Sequence, residues 1–451
     1  MVLAPDQMRI AAELNLRNGQ FDRALAFADA LLVRDPNDVA ALLIRASVLR
    51  EKQQYAQARA AASSAWKYAT TDGQKYTAAL LMAQALSSDD KRTRAQLWLR
   101  RAAQVAPTKQ HKARAARDFK HVQQRNPWQT NLSFTIAPNS NINNGSARDR
   151  SVLLYEILSP LAGGEPFEVE LGTTSKAISG IETGLDLQTR YRFHQTSNSA
   201  HDLRARLSYK TYQLSGSSKD DLREDDVSRV ENGEEPRNIT GSDFAYGTLQ
   251  LGYGYKKLRS DRRGEFSLTA DLGQSFYGGA RYNSYLRTNV SQSYYATKTA
   301  KLTLGLSSDI RRAQRGSDQH LLTLSTGMSR RLSSGDGLYL GASISTLNSG
   351  TERLEYDEVR LRTGYVLGRE VMGTALSFGL GTSYRDYDVS PHDPSGRRDF
   401  QVSADITATF KNIDYMGFNP TVSFTASKTN SNIGLYDVNR TGISIGIASS
   451  F

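Results

Sequence analysis

The sequence predicts an α plus membrane-β fold: helical repeats at the amino terminus, then a 14-stranded antiparallel transmembrane β-barrel. Three observations predict it. The final stretch Gly442–Phe451 alternates Ile443, Ile445 and Ile447 with Ser444, Gly446 and Ala448, the period of a strand with two unlike faces. It closes on an aromatic residue, as the terminal strand of a bacterial outer-membrane barrel does, and we expect Gly446 and Phe451 to form the barrel-assembly signal. The alternation runs back to Trp128, and before Trp128 the apolar spacing becomes helical.

Composition is compatible with this reading. The 451 residues are 39% hydrophobic, and no stretch approaches the roughly 18 consecutive apolar residues of a spanning helix. Barrel strands escape that test because every second residue faces a polar lumen. The 22 Tyr suit interfacial aromatic belts. With no cysteine, disulfides and thiolate metal sites are excluded. The start, Met1 to Asp6, has no basic region followed by an apolar run, so the signal peptide of an exported chain is expected to have been removed. Charge is unevenly divided: residues 1–127 hold 21 Lys+Arg against 11 Asp+Glu, and residues 128–451 hold 36 against 35.

Residues 1–127 form the first expected domain. Gly19, Phe21, Ala24, Ala28, Leu31 and Pro36 stand where a helical hairpin needs a turn, an aromatic wedge, small packing residues and a stop. Tyr55, Ala58, Ala62 and Ala65 repeat this about 34 residues on, and Ala95, Leu99, Ala102 and Pro107 form a third, looser copy. Three units are roughly the minimum for a stable stack. His111–Gln124 reads as a capping helix, broken by Asn126-Pro127. The pattern resembles the tetratricopeptide family. Continuing the register places Arg9, Arg17 and Arg50 in a substrate-binding groove suited to acidic or carboxylate-bearing segments. Nucleic acid is excluded as a partner, since there is no phosphate loop, aromatic platform or reading helix.

Residues 128–451 form the second expected domain. Alternation marks strands around Leu132–Ile136, Ile181, Leu203–Leu207, Leu249–Tyr253, Phe266–Ala270, Leu286 and Leu302–Leu306. It continues around Leu322–Leu324, Leu338–Ala342, Val359, Leu376–Leu380, Phe400–Ala404, Val422–Ala426 and Ile443. The even number is that of single-chain bacterial barrels. Connections alternate between short, such as Thr196–Ala200 and Ser334–Gly337, and long, notably Ile142–Ile178 and Gly216–Gly241. Short turns face the periplasm in such barrels, which puts the helical repeats there. Arg204, Arg206, Arg360 and Arg362 fall in the lumen phase, because an Arg facing lipid at mid-depth costs roughly 2–4 kcal/mol. Lys219–Asp226 reads as a solvated acidic loop.

The first strand, with Asn139, Asn141 and Asn143 in Pro138–Asn143, resembles the barrel opening of the surface lipoprotein assembly modulator (Slam) family. Gly396-Arg397-Arg398-Asp399 is similar to another stretch of that family. The resemblance implies a type XI secretion outer-membrane translocator that delivers lipoproteins or related soluble proteins to the cell surface, with the periplasmic repeats engaging the substrate or its chaperone. It implies the barrel assembly machinery and outer-membrane lipid as further partners. The long first loop departs from the pattern, and its apolar run Ser151–Leu161 is expected to fold inward as a plug. The alternative is an exopolysaccharide export porin with a repeat scaffold. An enzyme is not expected: the six His are scattered, with no nucleophile or metal-ligand spacing, and no cofactor or metal site is indicated.

Overall fold

The structure is a computed structural model that describes residues 3–314 and 316–449; Phe451 lies outside them. By contacts it divides into two compact units. The first comprises Met1–Gln129, Asp414–Asn419 and Ser449–Phe451, and the second Thr130–Ile413 and Pro420–Ala448.

In the first unit seven helices follow one another: α1 (Pro5–Arg17), α2 (Phe21–Arg34), α3 (Val39–Glu51), α4 (Tyr55–Tyr68), α5 (Asp72–Ser88), α6 (Arg92–Gln104) and α7 (Lys109–Arg125). Asp38, Thr71 and Thr108 cap the starts of α3, α5 and α7 with side-chain oxygens that accept from backbone N–H groups. The small residues expected at the hairpin crossings, among them Ala24, Ala28, Ala58, Ala62, Ala95 and Ala102, are all buried, which lets the helices approach closely. The larger core around Leu86, Leu99 and Phe119 is finished by Trp66 and Trp98, edge to face at 5.4 Å. The repeat is also visible in the backbone. The turn inside each hairpin has one residue with positive φ: Gly19 (+72°), Gln53 (+60°) and Asp90 (+52°). Only the first is the residue type that adopts this conformation freely. Also in this unit, the Arg100 guanidinium donates to the carbonyl oxygens of Met416 (3.0 Å) and Gly417 (3.3 Å) and to Ser449 Oγ (2.8 Å), between the rings of Phe119 and Phe418.

The second unit is a closed barrel with a folded loop region. Strand β1 (Trp128–Asn139) is followed by two short strands outside the barrel, β2 (Arg150–Val152) and β3 (Glu168–Glu170), paired with each other. Between them lies the one-turn helix α8 (Tyr155–Leu158). The barrel resumes with β4 (Gly180–Gln195) and β5 (Ser199–Leu214), then helix α9 (Gly216–Glu231), β6 (Tyr246–Leu258), β7 (Glu265–Tyr277) and β8 (Ala280–Tyr295). It continues through β9 (Ala300–Ala313), β10 (Gln319–Arg331), β11 (Gly337–Ser349), β12 (Tyr356–Val366) and β13 (Thr374–Tyr387). The last strands are β14 (Arg397–Phe410), β15 (Phe418–Ser431) and β16 (Val438–Ser449). Each barrel strand pairs with its sequence neighbours, and β1 closes on β16, with Ile136 opposite Ile445 and Asn139 opposite Gly442. The ring therefore has the 14 strands that the alternation predicts.

The outward face is apolar and uncovered: Leu251, Leu272, Leu304, Ile344 and Ile445 are each 57–65% exposed. A wall of this kind is stable only against hydrocarbon. At one end of the barrel the connections are short turns, such as residues 196–198 and 296–299. The other end carries the two long loops, residues 140–179 and 215–245. The acidic segment expected as an irregular loop is helical instead. Ser215 caps α9, and Leu222 turns inward to pack with Ile142, Ile178 and Leu214 in a small core shared by both long loops. The run Ser151–Leu161 does not bury its apolar side chains as a plug would. Leu154, Ile157 and Leu161 remain 46%, 64% and 82% exposed.

Left-handed backbone at a residue with a Cβ costs on the order of 1 kcal/mol. Gln53→Gly is therefore expected to raise the stability of the helical array by up to about that amount, read as a higher urea midpoint of the helical circular dichroism signal, with Gly19→Ala moving it the other way.

Candidate functional site

Three places bring functional residue types together: the lumen wall, the loop end of the β1–β16 seam, and the charged faces of the helical array.

In the wall, alternation sends Leu203, Ala205 and Leu207 outward and Arg204 and Arg206 inward. Across the ladder Arg190, Arg204, Gly252, Asp271, Arg287 and Asp309 stand directly opposite one another on successive strands β4 to β9. Arg204 reaches over Gly252 to Asp271 at 3.6 Å. A Cβ at Gly252 would sit 1.9 Å from Asp271 Oδ1, so only glycine leaves room for this crossing. Asp309 receives both Arg287 (2.7 Å) and Arg311 (2.9 Å). Arg206 pairs with Asp186 at 2.7 Å. On the far side Arg360 (2.5 Å) and Arg385 (2.6 Å) share Glu358, and Arg362 pairs with Asp405. All four Arg assigned to the lumen from sequence thus have carboxylate partners. The carboxylates are the more buried members: Asp271, Asp309 and Glu358 are 4–6% exposed, whereas the side chains of Arg204, Arg287 and Arg360 are 39–53% exposed.

At the loop end the Asn motif works as a set of hydrogen-bond clamps. Asn141 is wholly buried, donates to the carbonyl oxygens of Gly145 (2.8 Å) and Asn439 (3.2 Å), and accepts from Gly145 N–H (2.9 Å). One amide thereby ties the turn after β1 to β16. Asn143 donates to the carbonyl oxygens of Thr174 (3.1 Å) and Lys176 (2.8 Å) and accepts from Ile178 N–H (2.9 Å), holding the far end of the loop. Asn139 Oδ1 accepts from Asn141 N–H at 3.0 Å. Arg440 donates to the Asn141 carbonyl oxygen at 3.0 Å. Further along, Ser146 Oγ donates to the Gly434 carbonyl oxygen (2.7 Å) and Arg148 pairs with Asp437 (2.6 Å). In the other motif Arg397 pairs with Asp399 and stacks over Tyr387 and Tyr436. Beside it, burial and the Arg397 and Arg353 cations push the His392 imidazole below its usual value. The neutral ring accepts Leu154 N–H on Nδ1 at 3.1 Å, tethering the first loop. Gly446 lies within β16, where a Cβ would come within 3.0 Å of Thr421 Oγ1.

In the helical array the three Arg expected in a groove are not equivalent. Arg9 donates to Asp38 at 2.7 Å, the residue that caps α3, so it joins α1 to the next hairpin. Against a burial penalty, the Arg9 and Ala41 hydrogen bonds hold the Asp38 carboxyl below the usual carboxylate range. Arg50 hydrogen-bonds Gln84 and Glu51. Arg17 is the most open of the three: its side chain is 77% exposed, with a long 3.9 Å pairing to Glu13. The basic excess lies elsewhere, in residues 89–127, with 11 Lys+Arg against three Asp. Helix α7 buries Ala115, Phe119 and Val122 and leaves Lys109, Arg114, Arg117, Lys120 and Arg125 exposed. Counting charge per helix rather than per domain would have found this face.

Residues 228–451 match the model of a family described as surface lipoprotein assembly modifier. Among curated proteins none matches the chain. The tetratricopeptide domain of Arabidopsis OM64 aligns at 16% identity and a TM-score of 0.23, covering 26% of this chain and 94% of that domain. The COG4313 outer membrane channel from Pseudomonas putida F1 aligns at 9% identity and a TM-score of 0.32, covering 70% and 95%. OmpT of Vibrio cholerae gives 9% identity and a TM-score of 0.35 over 71% and 97%.

Removing the Asn141 amide leaves buried backbone groups unpaired, so Asn141→Ala is expected to lower barrel stability by about 1–3 kcal/mol, read from the urea dependence of the heat-modifiable gel shift. Because the folded protein favours neutral His392, the tether to Leu154 is held at neutral pH and lost as the ring protonates in acid. Proteolysis within residues 150–165 should therefore rise as pH falls, and His392→Leu should make it fast at every pH.

Proposed function

Over residues 228–451 the chain belongs to the surface lipoprotein assembly modifier family, and from that premise we propose that it is an outer-membrane protein translocator delivering lipoproteins or related soluble proteins to the cell surface. Residues 1–127 are its periplasmic part and residues 128–451 its barrel. The family match carries this reading. Family and fold both point to transport rather than catalysis.

The repeats engage the substrate, alone or with a periplasmic chaperone, through their basic surfaces. Arg17 and Arg50 contribute from the groove and α7 supplies the stronger field, suited to an acidic or partly unfolded segment. Arg204, Arg206, Arg360 and Arg362 line the conduit. With no nucleotide in the periplasm, folding or capture of the substrate outside supplies the driving force. The barrel itself is inserted by the barrel assembly machinery.

The test is protease shaving of cells that express a surface lipoprotein with and without this chain. The lipoprotein should be cleaved from outside only when the chain is present. If surface display persists without it and an exopolysaccharide disappears instead, the translocator reading fails. Within the repeats, Arg114→Glu with Arg117→Glu should weaken substrate capture at least tenfold in a pull-down while the barrel assembles normally. Arg9→Glu should instead destabilise the helices, because it repels the α3 cap.

A further inference from the structure

The barrel's short-turn end is electrically lopsided. Residues 256–265, 298–301 and 330–336, which join β6 to β11, carry nine Lys or Arg against three Asp or Glu. The next two turns, residues 367–373 and 411–417, each hold one basic and one acidic residue. At the loop end of the same arc the sign reverses, with four basic against nine acidic residues in 215–245. A cationic sector is thus confined to three adjacent turns.

Part of this sector faces outward. Lys257 shares the outer face of β6 with Leu249 and Leu251, and Arg330 that of β10 with Leu322 and Leu324. Tyr294, on β8, lies opposite Leu302 on the same face. Above its ring stand two guanidinium groups from the β6–β7 turn, Arg259 at 5.4 Å and Arg263 at 5.1 Å. Arg263 is fixed by hydrogen bonds to the carbonyl oxygens of Tyr295 and Ala296, each 3.2 Å. Asp261, 3.3 Å from Arg259, is the sole carboxylate paired within this group among the described residues. Its Oδ1 also accepts the Arg263 backbone N–H at 2.9 Å, whereas Lys257 and Arg330 have no acidic partner among those residues. By strand spacing, Lys257 and Arg330 lie about 10 Å to either side of Tyr294. Cations and a Tyr at the edge of an apolar membrane wall are where lipid phosphates lie, and Arg presents a fork that matches phosphate oxygens.

We propose that Lys257, Arg259, Arg263 and Arg330, arranged around Tyr294, form a headgroup site for an anionic phospholipid at the turn-end membrane interface. The Tyr ring orients the two guanidinium groups, the flanking cations complete the field, and the acyl chains run up the Leu-rich wall. The site needs only the membrane-embedded barrel and stands whether or not the barrel moves proteins.

The test uses the full chain in detergent micelles, titrated with phosphatidylglycerol or phosphatidylcholine, with bound lipid counted by native mass spectrometry. Phosphatidylglycerol should be retained over phosphatidylcholine, with retention falling as salt rises. The variant Lys257→Gln, Arg259→Gln, Arg263→Gln, Arg330→Gln should lose that preference by about six hundredfold, at roughly fivefold per cation. Arg369→Gln, at the same end outside the sector, should leave it unchanged. A heat-modifiable gel shift verifies that each variant is a folded barrel, and the salt titration of the unaltered chain tests the site without substitution. Equal retention of the two lipids, an unaltered preference in the fourfold variant, or displacement of phosphatidylglycerol by lipopolysaccharide would overturn the assignment.

Discussion

Inside hydrocarbon an unpaired strand edge leaves each N–H and C=O without a partner, at several kcal/mol apiece. Everything in the barrel depends on removing that edge, and here this means bringing β1 against β16, with Ile136 opposite Ile445 across more than 300 residues of chain. So distant a pairing forms late and carries a high loop-closure cost. The loop end of this seam is densely hydrogen-bonded by side chains: Asn141, Asn143, Ser146, Arg148 and Arg440 all bond across it or brace the loop beside it. The helical array faces an easier problem. Its contacts join neighbouring helices, and its small core residues need no distant partner.

Closure also dictates the chemistry of the interior. Once the apolar phase of every strand is committed to lipid, the other phase must be filled with groups that tolerate water and one another. The near-balance of 36 basic and 35 acidic residues beyond Trp128 takes physical form as cross-strand pairs, with Gly252 left bare so that one of them can cross. The acidic members sit at the wall, and the longer Arg side chains fold over them.

The strands were legible because a period of two survives in each one separately: Leu302, Leu304 and Leu306 mark β9 without knowledge of any partner. The tandem helices were legible from Ala24, Ala58 and Ala95, which recur at nearly fixed spacing. What escaped depends on meetings between distant residues. The acidic segment after Ser215 is a helix because Leu222 finds Ile142, Ile178 and Leu214, brought there by closure of the barrel. The partner of Arg9 is Asp38, 29 residues away at the start of another helix, so nothing around Arg9 distinguishes it from a groove cation. The Asn motif could be recognised as a pattern, but its clamping role rests on carbonyl groups of Thr174, Lys176 and Asn439 that no local spacing foretells.

The way the inner pairs are layered has a consequence for traffic of small ions. Formal charge along Asp271, Arg287, Asp309 and their neighbours nearly cancels, yet the carboxylates are hidden at the backbone while the guanidinium groups stand in the water. A dissolved ion responds to the nearer, better-hydrated layer rather than to the algebraic sum. The bore therefore presents a positive skin over a negative lining, and in dilute electrolyte chloride should enter it more readily than potassium.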